Sequence, residues 1–176
     1  MSAQTHDLPD AAIPVQAGPA DLDPLFERLL TVAPEDHAAI ERRIWQEFAK
    51  SGSPAMDLLL ERGESALQSE DYGGAIEHLT ALTDHAPGFA QGFHLRATAY
   101  YNLGRYGPAL ADIERALALE PRHFAAMEGL GVILEELGYK EDALEVFLRV
   151  KAIHPHRKDL SQRIEMLQRQ TAGRRL

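Results

Sequence analysis

Pro87, Pro121 and Pro155 recur at a fixed spacing of 34 residues, and each closes a stretch of similar helical pattern. A period of that length fits one helix–turn–helix unit. Such a unit buries its apolar face only by stacking on copies of itself. Cutting the chain at the prolines gives units over residues 56–89, 90–123 and 124–157. The terminal proline donates no backbone hydrogen bond and disfavours helix in the residue before it, so each unit is punctuated at one point.

Equivalent positions carry equivalent side chains. Gly63, Ala97 and Gly131 are small residues in the middle of each first helix; Ala66, Tyr100 and Leu134 follow three residues later. Ala75, Ala109 and Ala143 stand in the early turns of each second helix, followed by Leu79, Ile113 and Phe147, then Leu82, Ala116 and Val150. Helices approach closely only where one offers a small side chain, and the larger columns fill the space left between them. The turn inside each unit reads Glu70-Asp71-Tyr72-Gly73-Gly74, Gly104-Arg105-Tyr106-Gly107-Pro108 and Gly138-Tyr139-Lys140-Glu141-Asp142. Glycine there ends a helix in the left-handed conformation, and Pro108 suits the first turn of the next helix.

The second unit runs Phe93-His94-Leu95-Arg96-Ala97-Thr98-Ala99-Tyr100-Tyr101-Asn102-Leu103-Gly104-Arg105-Tyr106, then Ala109-Leu110 and Ala116-Leu117-Ala118-Leu119-Glu120-Pro121. It resembles a tetratricopeptide repeat almost column for column, and the resemblance extends over residues 56–157. The whole chain is also similar to the small tetratricopeptide proteins common in proteobacteria. The resemblance implies an all-α solenoid that binds proteins. Arg62 and Arg96 depart from the family pattern in a column that is usually leucine, whereas Leu130 fits it. Both arginines are expected to bury their stems and pair with nearby carboxylates.

The resemblance also allows one family function to be tested. Co-chaperones of this family that grip an acidic chaperone C-terminus use a clamp of Lys, Arg and Asn side chains. Leu60, Glu64, Leu95, Ala125 and Gly129 hold those positions here. None binds a carboxylate in that way, so that function is rejected.

Flanking segments complete the array. Residues 1–20, with Pro9, Pro14 and Pro19 and few large apolar side chains, read as a disordered arm. They lack the charged start and apolar core of a secretory signal peptide. A cytoplasmic location is expected, with a periplasmic one as the alternative if a leader has been removed. Residues 21–53 read as a helical hairpin. Leu22, Leu25, Phe26, Leu29 and Leu30 face one way in its first helix. Pro34-Glu35-Asp36 opens the second, whose stripe is Ile40, Ile44, Trp45 and Phe48. Ser53-Pro54 is expected to cap the first repeat helix. Trp45 is expected to pack the hairpin on the first repeat, covering the open end of the array. Residues 158–170, with Leu160, Ile164 and Leu167 at helical spacing, read as the opposite cap, after which the chain frays. The repeat domain therefore spans 54–170.

A net charge of −9 argues against a nucleic-acid binder, which needs clustered Lys and Arg. The charge is unevenly spread: residues 51–89 hold seven acids against Arg62, and residues 158–176 hold five bases against two acids. Head-to-tail self-association through those ends is one expectation, and it would weaken with salt. The chain has no cysteine and no apolar stretch of membrane-spanning length. A phosphate-binding Gly loop, HExxH and a nucleophile elbow are all absent. His154-Pro155-His156 lacks a suitably spaced third ligand, so neither a metal nor another cofactor is expected. Enzyme activity is not expected either.

Function is assigned to the concave groove lined by the first helix of each unit. Its columns read Asp57, Gln91, Ala125; Leu60, His94, Glu128; Glu64, Thr98, Val132; Leu67, Tyr101, Glu135; and Gln68, Asn102, Glu136. Leu67 and Tyr101 offer apolar contact, and Gln68 and Asn102 can bond a peptide backbone. Glu64, Glu128, Glu135 and Glu136 favour a basic or amphipathic partner. The expected peptide-binding set is therefore Leu60, Glu64, Leu67, Gln68, His94, Thr98, Tyr101, Asn102, Glu128, Glu135 and Glu136. The protein is read as a non-catalytic adaptor or assembly factor, with a self-associating scaffold as the alternative.

Overall fold

The computed structural model describes residues 22–172, which form nine helices and no strand. The expected arm over residues 1–20 lies outside the described residues. Three helix pairs make the array: α3 (Pro54–Gln68) with α4 (Tyr72–His85), α5 (Ala90–Asn102) with α6 (Tyr106–Leu119), and α7 (Phe124–Glu136) with α8 (Lys140–Ile153). Successive first helices α3, α5 and α7 line up as one layer, and each second helix packs between its own partner and the next unit. The hairpin α1 (Asp23–Thr31) and α2 (His37–Phe48) precedes the array, and α9 (Leu160–Ala172) packs on α8 at its end.

The small column is where helices of a pair touch. A Cβ on Gly63 would lie 2.6 Å from the Leu79 side chain, and one on Gly131 would lie 2.7 Å from the Phe147 ring. Ala97 shares a buried cluster with Ile113. Ala75, Ala109 and Ala143 are fully buried, as are Leu79, Leu82, Ala116 and Val150. Each first helix ends with the same wide backbone bond: Asp71 N–H to Ala66 O (2.8 Å), Arg105 N–H to Tyr100 O (2.9 Å) and Tyr139 N–H to Leu134 O (2.9 Å). This closure needs a left-handed residue just before the donor. Gly104 and Gly138 supply it in the second and third repeats, but Glu70 does so in the first, at φ 60°. The glycines read as the first turn's breakers, Gly73 and Gly74, instead stand in the first turn of α4, where Gly74 N–H bonds the Asp71 carboxylate.

The arginine column is resolved by what lies sixteen residues on. Arg96 makes a two-pronged pair with Asp112 (Nε–Oδ2 2.7 Å, Nη2–Oδ1 2.7 Å) and donates from Nη1 to the Thr80 and Thr83 hydroxyls. It thereby ties α5 to both α4 and α6. In the third repeat the corresponding residues are Leu130 and Val146, an apolar pair in the core. In the first they are Arg62 and His78, and Arg62 stays exposed. The expectation of a paired arginine thus fails at Arg62, because no carboxylate occupies the matching place.

The flanks differ in detail from the sequence reading. α2 starts at His37, after a turn over Pro34–Asp36, and Leu30 is 52% exposed. Ser53 precedes Pro54 at the start of α3 but makes no side-chain cap bond. Asp57 instead accepts from the Ser51 N–H (3.0 Å) and hydroxyl (2.5 Å). α9 begins at Leu160 after Asp159 turns left-handed, and runs on to Ala172.

Two stability outcomes follow. Asp112→Ala strands the Arg96 guanidinium, half-buried between helices, and should cost about 3 kcal/mol, whereas Arg96→Leu with Asp112→Val, which copies the third repeat, should be neutral or stabilising. Urea unfolding of both variants reads the difference. Glu70→Gly relieves a left-handed side chain and should add about 1 kcal/mol in the same assay.

Candidate groove site

The hairpin packs chiefly at the start of α5 and α7, with only Ala49 against the cluster of the first repeat. The Trp45 ring stands edge-on to Phe124 at 5.2 Å, with His94 and His123 at 6.5 and 6.2 Å. Phe48 stacks flat on His123, centroids 4.4 Å apart and planes 6° from parallel. Ile40, Ile44 and Phe48 join Phe124, Met127, Val146 and Phe147 in one buried cluster. Trp45 is therefore a packing residue, but against the second and third repeats. The stripe Ile40-Ile44-Trp45-Phe48 turned out to face a groove because Phe124 and His123 present a matching apolar and aromatic surface there.

His123 is fully buried and uses both ring nitrogens. Nδ1 accepts from the Ala126 N–H at the start of α7 (3.3 Å), so Nε2 carries the proton and donates to Gln91 Oε1 (2.9 Å). Burial, and then the neighbouring His94, hold it well below the usual histidine range. Burial likewise pushes His94 down to about 4. Both rings are neutral partners for the aromatics of α2.

Charge fastens the same junction. Arg157 reaches back from the last repeat turn to Glu41 of α2 (Nη1–Oε1 2.9 Å) and pairs through Nε and Nη2 with both Glu128 oxygens. His154 Nε2 lies 3.3 Å from Glu41 Oε2, and the Trp45 indole N–H donates to Oε1 (3.4 Å). Burial alone would raise the Glu41 carboxyl, but His154, the indole N–H and Arg157 together hold it below the usual range. At the edge of the hairpin Arg122 pairs with Asp23 (2.6 Å) and lies over the Phe26 ring. Among the described residues no group of three His, Asp or Glu side chains is placed to hold a metal ion.

Next to this junction the groove between α5 and α7 remains open as a pocket of about 160 Å³, lined by His94, Ala97, Thr98, Tyr101, Ile113, Ala125, Gly129, Val132 and Ile133. Its walls are apolar. Its far rim is Glu136, which accepts from the Tyr101 hydroxyl (2.6 Å) and the Tyr106 hydroxyl (2.8 Å). Those bonds lower the Glu136 carboxyl and push Tyr101 up to about 12.

The structure brings three of the expected binding residues, His94, Thr98 and Tyr101, into one pocket. Leu60 is a correction: it is buried in a cluster with Ala75 and Leu79 of α4 and Ala99 of α5. Leu67 is half-buried against that cluster, and Gln68 lies exposed at the end of α3. Glu64 is exposed on α3, with partial burial of its carboxylate and the neighbouring Glu61 raising its pKa. Asn102 bonds the Thr98 carbonyl of its own helix (2.8 Å). The acidic strip is the second correction, since Glu128 pairs with Arg157, Glu135 with Arg163 (3.0 Å) and Glu136 with two tyrosines. Basic residues at the end of the third repeat and on α9 fold back to neutralise it, which a column-by-column reading of first helices could not include. That reading also passed over Ala97, Ile113, Gly129 and Ile133. Small residues opposite each other on α5 and α7 were the available sign of a gap.

Residues 94–157 match the tetratricopeptide-repeat family. A TPR repeat-containing protein of Rhizobium etli is 31% identical over 88% of this chain and 76% of its own length. The chain belongs to the tetratricopeptide-repeat family. A small glutamine-rich tetratricopeptide repeat-containing protein of Saccharomyces cerevisiae is 30% identical over 66% of this chain, which spans only 33% of that protein. Among solved structures, MamA superposes with a TM-score of 0.63 at 17% identity, covering 83% of each chain. The first TPR of Spaghetti (RPAP3), bound to an HSP90 peptide, has the same TM-score at 24% identity, covering 66% of this chain and 93% of its own. At such identities the likeness is one of fold.

Acid should loosen this protein in a defined window. The unfolded chain binds a proton at His94 near pH 6.5 and the folded protein only near pH 4, so stability falls as pH drops between those values and is insensitive to this group above them. The loss is on the order of 3 kcal/mol for full protonation. Denaturant midpoints measured across that range should show the slope, and His94→Gln should reduce it, leaving the part that buried His123 contributes.

Proposed function

We propose that this tetratricopeptide-repeat protein is a non-catalytic adaptor whose concave groove seats an apolar side chain of a protein segment in the α5–α7 pocket. The observation that carries this reading is the pocket itself. Its volume of about 160 Å³ matches a cavity that holds a benzene-sized group. Its walls are supplied by helices that the array holds rigid, so little ordering cost falls on the protein side. Ala125 and Gly129 stand where carboxylate-gripping relatives need polar or cationic side chains, and here they make the wall of an apolar pocket. The relatives bound to HSP90 and HSP70 peptides support the use of this fold as a peptide holder in general terms. The partner segment is amphipathic: an apolar residue enters the pocket, and polar neighbours meet the Tyr101–Glu136–Tyr106 rim. A preference for basic partners draws no support from Glu128 and Glu135, which are already paired.

Gly129→Leu tests the pocket cleanly. A Cβ at Gly129 meets only Ile113 Cδ1 at 3.5 Å, an ordinary contact, and glycine is a poor helix residue, so the variant should fold at least as well as wild type. Selection from a displayed peptide library on wild-type protein should enrich segments with a recurring apolar residue. Those segments should lose about 10-fold or more in affinity for Gly129→Leu. Equal affinity for both proteins would remove the pocket from the site.

A further inference from the structure

Everything needed to bind an amphipathic helix is already in use at the other end of the groove. The α2 helix places Glu41, Trp45 and Phe48 on one face at spacings of four and three residues. The groove answers each: Arg157 and His154 for the carboxylate, Phe124 and His94 for the indole, and His123 for the phenyl ring. Gln91 fixes His123 in the orientation that stacks. This is helix-in-groove recognition with i, i+4 and i+7 anchors, made by the chain with itself.

The hairpin shares one buried cluster with the third repeat, so an incoming helix must cover the apolar surface that its displacement exposes. α1 and α2 pack closely on each other, whereas they meet the repeats mainly through side chains. Their link to α3 is Ser51-Gly52-Ser53, where Gly52 is left-handed at φ 80° and an added Cβ would meet nothing within 4 Å. The open α5–α7 pocket adjoins the junction through His94, which lines the one and packs in the other. A helix entering the pocket and continuing along the groove meets α2.

We infer that the α1–α2 hairpin is the resident ligand of this groove, and that the external partner is an amphipathic helix with the same chemistry. That chemistry is a carboxylate, an aromatic residue four positions later and a second aromatic three beyond it, and the partner helix binds by displacing α2. The inference rests on the groove-binding reading above and names the partner class for it. A tethered ligand competes at an effective concentration set by its linker, so displacement is weak for wild type and strengthens when the tether is lengthened or the hairpin anchors are removed.

The probe is a fluorescein-labelled synthetic peptide spanning residues 34–50, with binding read by anisotropy. Two full-chain variants are compared with wild type. One carries a flexible Gly/Ser insertion of about twenty residues beside Gly52, which spares the α1–α2 contacts with the groove and alters only the Ser51–Asp57 bonds of the link; the other is Trp45→Ala/Phe48→Ala. The insertion variant should bind the peptide several-fold tighter than wild type, and the anchor variant on the order of 100-fold tighter. Trp45 is the only tryptophan, so its emission in wild type should shift to the red when an unlabelled peptide carrying Phe in place of Trp displaces the hairpin. Far-UV circular dichroism checks the anchor variant, and the insertion variant carries the test if that one unfolds. Equal affinity of wild type and insertion variant, or no binding to any form at about millimolar peptide, would overturn the inference. Library-selected segments that need the open pocket but are not displaced by the α2 peptide would overturn it too, while leaving the pocket reading standing.

Discussion

The contact on which this structure depends is a small residue on one helix against a large one on its partner. Gly63 lies under Leu79, and Gly131 lies under the face of Phe147; Ala97 and Ile113 share a buried cluster in between. Each contact fixes how near the two helices of a unit come, and so fixes the rise from one unit to the next. A methyl group added at Gly131 would meet the Phe147 ring inside van der Waals contact, and a close-packed interior passes such a displacement on to its neighbours. Because the period repeats the contact, α3, α5 and α7 come to lie side by side, and a groove exists at all.

What fills that groove depends on chemistry outside the repeats. The acids on α7 would make an anionic wall by themselves. Arg157 and Arg163 arrive from the end of the array and pair with Glu128 and Glu135, and Arg157 then has one nitrogen left for Glu41. One guanidinium therefore connects the N-terminal hairpin, the third repeat and the approach to α9. Two neutral histidines, the half-buried His94 and the buried His123, supply flat faces for Trp45 and Phe48. The groove is divided as a result into an aromatic and charged half that α2 occupies and an apolar half that stays open.

Much of this was legible in the residues. The 34-residue period, the small column and the buried Ala and Leu columns are local rules applied three times, and the helices fall where the rules put them. The departures occur where one repeat's rule lacks its partner residue. Arg62 has His78 where Arg96 has Asp112, and Glu70 stands in the left-handed place that glycine takes twice later. Leu60 reads as a groove residue by column, but its side chain is buried with Ala75, Leu79 and Ala99, a contact that spans α3, α4 and α5.

The sequence by itself determined the helix pairs, their order and the apolar stripe of α2, because helical period, glycine stops and proline breaks act within a few residues of where they are written. Only the tertiary structure decided which surface that stripe buries and which carboxylates stay open. Those outcomes rest on contacts between residues far apart in the chain, such as Glu41 with Arg157 and Trp45 with Phe124. Pairing of that kind is set by how a curved array brings its ends and its groove within reach of each other, and no single segment carries that information.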